Sequence, residues 1–479
     1  MRRALKLRIG VAAAALVAAT GAAALVSAGL LDRTDAPQAA DSPGSPSPAA
    51  TVAPPEPTST RSPAPATPRP AAPSPTAAAP STAPTRTASA AETLPAVGQA
   101  LDVTELASQV SQIRGLDVSE PVRARAVTRD ELAATVRALG FGWGDPAEVE
   151  SSQRILVALR LIPAEFDLGG QGTELYAEQV VGVYALSEQT LFVHGVPGQL
   201  TPYAEFIAAH EITHALQDRT FDLEPLRDLP PEAADASTAL LALIEGDAVV
   251  TQREWSARFQ SQAQRAELRR EAGSGSNAVL ASTPSYLRAI LEFPYREGTA
   301  FVTELMRQDG YAAVDKAYAS PPTTTEQIMH PDSYLAGEGA TPVTLAGSPR
   351  GGFEHEARAT FGQFDVRELF RPLGLGRAER VAIGWAGGEV AWWWTDEATA
   401  VSLALTFDTV ADADDACEAA PAWYAAAAGG IADGADASLL RSDRDWMAFR
   451  CEGDRVWLGI AADAEEALEL AGAGARSRG

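Results

Sequence analysis

Residues 208–218 read Ala-Ala-His-Glu-Ile-Thr-His-Ala-Leu-Gln-Asp, and His210, Glu211 and His214 within them are residue types suited to metal-assisted hydrolysis. On a helix, positions i and i+4 share one face, one turn apart, so the two imidazoles can hold one metal ion. Glu211 adjoins the first imidazole, where its carboxylate can reach a water held on that face and act as general base. The chain has only five histidines, which makes the spacing specific. A catalytic zinc ion takes three protein ligands and keeps one position open for water. The third ligand is expected from Glu245, which follows the apolar run Leu240-Leu-Ala-Leu-Ile244 and precedes Gly246. That glycine would let the second helix approach the first, and Asp247 is the reserve ligand. Metal-bound histidines donate their second N–H to an acceptor. Asp218, one turn beyond His214, could accept it, or could lie on the helix surface.

For these groups to meet, two helices must pack together. Thr201-Pro202 supplies an N-cap and a first helical residue ahead of His210. After Asp218 the pattern breaks into Thr-Phe-Asp-Leu, Pro230-Pro231 closes that loop, and a long helix is expected over about 232–271. Upstream, 179–193 reads as two short strands about Ser187-Glu188-Gln189, or as one bent strand. Residues 101–113 suit a short amphipathic helix, and 121–127 alternate like an exposed-edge or one-sided strand. Thr128-Arg-Asp-Glu131 is a capping box that opens a helix to Gly140, and another helix is expected over about 146–161. Residues 284–320 are again helical in pattern, and 321–350 are loop-rich.

With these segments in place, the chain resembles the gluzincin branch of the zincin metallopeptidases over about residues 100–340. More narrowly, it is similar to exported bacterial members. Their Gly-x-Tyr strand corresponds to Val181-Gly182-Val183-Tyr184, their H-E-x-x-H helix to His210–His214, and their E-G-D-A helix to Glu245–Ala248. Their late Thr-Glu-Gln-x-x-His-Pro segment corresponds to Thr325-Glu326-Gln327-Ile328-Met329-His330-Pro331. The 30 residues between His214 and Glu245 exceed the spacing of thermolysin-like members. The resemblance implies bound Zn2+ and a protein or peptide substrate. It also implies that the strand ending at Val193 is the edge strand that aligns an extended peptide. An oxyanion donor is implied from a later His or Tyr: His330 first, with Tyr334 and Tyr295 as alternatives, although a His before Pro also serves as a packed or capping residue. His194, at a strand end, reads as structural or exposed, and His355 has no assigned role.

The remaining sequence sets the location. Arg2, Arg3, Lys6 and Arg8 precede an uncharged run over 9–31, and Val26-Ser27-Ala28 suits signal cleavage. The run is also long enough to span a bilayer. Residues 1–31 are therefore a signal peptide or a signal-anchor helix, with the cytoplasmic membrane as partner if uncleaved. Residues 32–96 are rich in Pro, Ala, Ser and Thr, with 15 of the 33 prolines between Pro37 and Pro84, a composition of disordered linkers. A formal charge of −25 argues against nucleic acid as a partner. Residues 97–140 could be an inhibitory prosegment, but are read as integral to the metallopeptidase domain, placed at 97–345.

From Gly351 the character changes, with seven of the nine tryptophans beyond it, so 346–479 are expected to form a separate Trp-rich α+β domain. Residues 381–394 read as a hairpin turning at Gly387-Gly388, followed by a strand over 400–407 and a helix over about 411–427. A second hairpin is expected around Glu452-Gly453-Asp454, then a last helix. Cys417 and Cys451, the only cysteines, could bridge helix to strand; a loop of that size contributes about 4 kcal/mol in the chain-entropy model. The tryptophans suit a core, and less readily a glycan or peptide surface. The expectation is an α+β, exported zinc metallopeptidase, membrane-anchored at the cell surface or secreted. The alternative is a surface interaction protein on the same scaffold, with structural zinc or lost activity.

Overall fold

A computed structural model of the chain describes residues 97–473, except 140–145, 172–179, 228, 274–282, 430 and 434–435. The expected signal or anchor segment, the Pro-rich linker and Gly140 lie outside the described residues. Among the described residues, no helix is long and apolar enough to cross a membrane.

The first half opens with β1 (Gln99–Ala100), α1 (Thr104–Arg114) and β2 (Arg123–Val127). Then follow α2 (Arg129–Ala138), α3 (Pro146–Ala158), β3 (Gly182–Ala185) and β4 (Thr190–His194). The capping box forms: Thr128 Oγ1 accepts from Glu131 N, and Thr128 N donates to the Glu131 carboxylate, which fixes the start of α2. The strands form a sheet in the order β1-β2-β4-β3, with β2 and β4 parallel and the outer pairs antiparallel. β3 and β4 are the expected hairpin about residues 187–189. The edge is β3, however, and β4, with Val193, lies inside the sheet. β2, paired with β1 on one side and β4 on the other, is interior and not an exposed edge, while its alternating burial fits the other expectation, a one-sided strand.

Next come α4 (Pro202–Phe221), α5 (Leu223–Arg227), α6 (Ala234–Phe259) and α7 (Gln262–Ala272). Thr201 caps α4 by accepting from Ala204 N. α4 runs past Asp218 to Phe221 and stops where Asp222 adopts a left-handed φ of 54°. The expected long helix divides at Gln260, because Ser261 and Gln264 form a capping box of their own that starts α7. α4 and α6 are buried on almost every side, as central helices are. α4 packs with β4, α1 and Trp255 in a core that includes Val110, Leu191, Ile207, Ile212 and Leu216. α8 (Ser285–Asp309), α9 (Tyr311–Ala319), α10 (Thr325–Met329) and α11 (Pro331–Ala336) complete this half.

The second half contains β5 (His355–Thr360), α12 (Gln363–Leu369), α13 (Leu375–Ala382), β6 (Trp385–Trp394), β7 (Thr399–Phe407) and α14 (Val410–Ala428). β8 (Ile431–Asp433), β9 (Asp436–Arg441), β10 (Trp446–Glu452), β11 (Arg455–Ala461) and α15 (Ala464–Leu470) follow. Its seven-stranded antiparallel sheet runs β5-β6-β7-β11-β10-β9-β8. The hairpin expected at Gly387-Gly388 does not form, and both residues lie inside the single strand β6. A Cβ on Gly387 would sit 2.2 Å from Thr341 O, and one on Gly388 2.3 Å from Phe361 O. These glycines admit neighbouring backbone, not a turn. Trp392, Trp393 and Trp394 are buried, so the cluster is core. Cys417 and Cys451 form a disulfide between α14 and β10.

The fold is α+β, and the described residues from 97 to 473 belong to one compact unit. Trp392 Nε1 donates to Ser151 Oγ at 3.0 Å, and Arg160 Nη2 meets Asp445 at 2.6 Å, joining the first half to the second sheet.

Candidate metal centre

α4 presents His210, Glu211 and His214 to the interior, and α6 brings Glu245 to meet them. The Nε2 atoms of His210 and His214 stand 3.1 Å apart, and Glu245 Oε2 lies 3.1 Å from the first and 3.5 Å from the second. One ligand atom from each of the three residues falls within 4.8 Å of the others, a group that could hold a metal ion. All four side chains are buried, with His210 and Glu211 at 0% exposure. Gly246 does not act as expected. A Cβ there would lie 2.2 Å from Gly298 O of α8, so the glycine admits α8, not α4. The corresponding position on α8, Gly298, would meet Ala242 O at 2.0 Å.

Burial and charge act against each other in this cluster. Burial would raise the Glu245 carboxyl, but His214 and His210 outweigh it and hold it down at about 2. Burial lowers His210. Burial would also lower His214, yet Glu245 and Glu211 push it up to about 9. The two shifts work together, favouring the protonated form of His214 beside the ionised form of Glu245.

A second layer of side chains holds these groups in place. His214 Nδ1 meets Gln217 Oε1 at 2.8 Å, while Gln217 Nε2 donates to Ile244 O at 3.1 Å and to Asp247 Oδ2 at 2.9 Å. Behind His210 lies Gln252, whose amide donates to Phe206 O at 2.8 Å; His210 Nδ1 and Gln252 Oε1 are both buried. Asp218 is not the histidine partner. It accepts from Tyr184 Oη at 3.0 Å, and Gln217 occupies the place foreseen for it. Asp247, the reserve ligand, is turned away from the cluster and pairs with Arg114 at 2.7 Å.

Glu211 is placed by the sheet. Tyr184 N on β3 donates to Glu211 Oε2 at 2.8 Å. Gly182 makes the approach possible, since a Cβ there would lie 2.8 Å from Ile207 Cγ2 and 3.4 Å from Glu211 Cγ. Tyr295 of α8 has its ring centroid 6.2 Å from that of His210. Arg227 of α5 lies close enough to Glu245 and Asp218 to feel both charges, and its Nε is sealed from solvent without a hydrogen-bond partner among the described residues. Burial brings its guanidinium down to about 10.

His330 is exposed, and its ring accepts from Gln363 Nε2 at 3.2 Å. That contact faces the second half, and the structure does not bring His330 into the cluster. Tyr334 Oη donates to Ser320 O at 2.8 Å. His194 lies 3.3 Å from Val127 O at the end of β4, and His355 stacks on Trp394. Sequence reasoning missed Gln217, Gln252, Arg227 and Arg114. Gln217, three residues beyond His214 on the same helical face, was within reach of the same spacing argument. Compared with known proteins, the chain matches no family model, no curated protein and no solved structure.

Proposed function

We propose that the protein is an exported zinc metallopeptidase of the gluzincin type, anchored at the cell surface or secreted, that hydrolyses peptide bonds with Glu211 as general base. The observation that carries this reading is the convergence of His210, His214 and Glu245 beside Glu211. Two imidazoles and one carboxylate are the donor set of a class of catalytic zinc sites, and three ligands leave a position open. These residues therefore fit the ion. The zincin reading of the α+β fold is supported by the short sheet whose edge strand lies across the H-E-x-x-H helix at Gly182.

Zinc bound there supplies Lewis acidity at the scissile carbonyl and lowers the pKa of a water to about 7. Glu211 takes a proton from the attacking water and passes it to the leaving nitrogen. The Tyr184 N–H holds one Glu211 oxygen at 2.8 Å, which orients the other for that transfer. Tyr295, whose ring centroid lies 6.2 Å from that of His210, and Arg227, within reach of the Glu245 charge, would be the groups to stabilise charge developing in the transition state. Tyr295, already an alternative donor, and Arg227 are thus preferred here to His330. β3, not β4, is the strand against which an extended peptide would align.

The test is purified protein with Glu211→Gln, assayed for zinc and for cleavage of a mixed peptide library. The variant should retain stoichiometric zinc and lose hydrolysis by about 10²–10⁴-fold, the usual share of a general base. Hydrolysis that survives the change, or a wild type without stoichiometric zinc, would overturn the proposal. Zinc without cleavage of any peptide would favour the interaction-protein alternative.

A further inference from the structure

Behind the cluster runs a buried chain of polar contacts that ends on the first helix of the described fold. Arg114, the last residue of α1, donates from Nε to Asp247 Oδ1 at 2.7 Å and from Nη2 to Asp315 Oδ1 at 2.7 Å. The Arg114 and Asp247 side chains are both 0% exposed. Asp247 Oδ2 accepts from Gln217 Nε2 at 2.9 Å and from Tyr318 Oη at 3.0 Å. Gln217 Oε1 then faces His214 Nδ1 at 2.8 Å.

Each link dictates the next. A carboxylate paired with a guanidinium can only accept, so Asp247 requires the amide NH2 of Gln217. The opposite amide orientation would set the Gln217 oxygen against two acceptors, Ile244 O and Asp247 Oδ2. With its NH2 committed, Gln217 can offer His214 only an oxygen, and Nδ1 must then carry a hydrogen. The nitrogen facing His210 and Glu245 is then Nε2, whose lone pair becomes available to a metal ion once its proton is displaced.

We propose that Arg114 is a positioning residue for the metal site, setting the Nδ1–H tautomer of His214 through Asp247 and Gln217. This rests on the metal-site reading above. It also makes α1 a working part of the site, so residues 104–114 cannot be a segment removed on activation.

The experiment is zinc affinity by competition with a chromogenic chelator, which needs no peptidase activity. In Asp247→Asn, Arg114 claims the new amide's oxygen and leaves its NH2 facing Gln217. Gln217 then either keeps its NH2 against that NH2 or turns its oxygen to it, against Ile244 O, and presents its own NH2 to His214; both weaken the support for the Nδ1–H tautomer. Zinc affinity should fall by about 10–100-fold, the usual effect of losing such a partner. Adding Arg114→Met frees the introduced amide to turn its oxygen back to Gln217, and should restore affinity to within about threefold of wild type. A structural defect would instead be made worse by a second change in the core. Unchanged affinity in Asp247→Asn, or no recovery in the double variant, overturns the inference. The second readout is ¹⁵N–¹H spectroscopy of the zinc-loaded wild type, which needs no variant to fold. It should show a slowly exchanging Nδ1–H on His214, and its absence would refute the assignment. A wild type that binds no zinc would refute the metal site itself, an outcome distinct from either.

Discussion

At the scale of single residues, the metal-free cluster is a proton trap. His214 is held at about 9 by Glu245 and Glu211 against the cost of burial, so at neutral pH it carries a proton that a metal ion must displace. Zinc binding should therefore release close to one proton per site at pH 7, and affinity should rise with pH until about 9. Indicator-dye titration during zinc addition checks the first, and chelator competition between pH 6 and 9 the second. An affinity flat across that range would contradict the assignment. His210, His214, Glu211 and Glu245 could be read from the sequence because one motif and one apolar helical run suffice to find them. Asp218 and Gln217 could not be separated that way. Both lie about one turn beyond His214, and only the position of α6, with Ile244 O and Asp247 awaiting an amide, selects Gln217.

At the scale of elements, the close crossing of α6 and α8 sets the position of Glu245. Ala242–Gly246 on one helix meets Gly298 on the other with backbone against backbone. Gly298→Ala would put a methyl group 2.0 Å from Ala242 O, and the helices would have to separate. The expected cost is about 1–3 kcal/mol or more in denaturant unfolding, together with weaker zinc binding as Glu245 withdraws. Full stability with native affinity would show that the crossing is not critical. Local signals identified many elements: the Thr201 cap, the Thr128 capping box and the hairpin about residues 187–189. They failed where a glycine served a tertiary contact. Gly387-Gly388 has the composition of a turn, but its purpose is the approach of Thr341 and Phe361, and neither lies near it in sequence. The edge position of β3 was also hidden, since strand order depends on a parallel pairing between β2 and β4 that alternation cannot reveal.

At the scale of the whole molecule, the two halves are joined by buried carboxyls. Asp235, at the start of the helix that carries Glu245, donates its N–H to Thr360 Oγ1 and accepts from Thr325 N and Oγ1. Asp365 of α12 accepts from Tyr286 Oη at 2.9 Å and from Gly362 N at 3.2 Å. Burial pushes Asp235 up to about 6, and burial with the neighbouring Asp235 pushes Asp365 up to about 7. Glu326 of α10, facing Asp408, Glu338 and Asp235, is raised to about 7 by burial and those charges. A carboxyl raised in the folded state binds more protons than in the unfolded chain. Its stability contribution is therefore complete below about pH 4 and is lost as pH rises to about 7. Asp235→Asn keeps an oxygen for Thr325 and removes one titration. Its melting temperature should fall less than that of wild type between pH 4 and 7, and parallel curves would rule out Asp235 as a contributor.

The Arg114 contacts also fix when the site can exist at all. Arg114 must wait for Asp247, 133 residues later, and for Asp315, 201 residues later. Chains emerge N-terminus first at roughly 5–20 residues per second, so about 10–40 s of synthesis separate the arginine from its last partner. Until Asp247 has been made, the H-E-x-x-H helix lacks the contacts that orient His214. The centre can close only after α6 has been made, so a chain ended before Asp247 carries the motif without the side chains that hold His214.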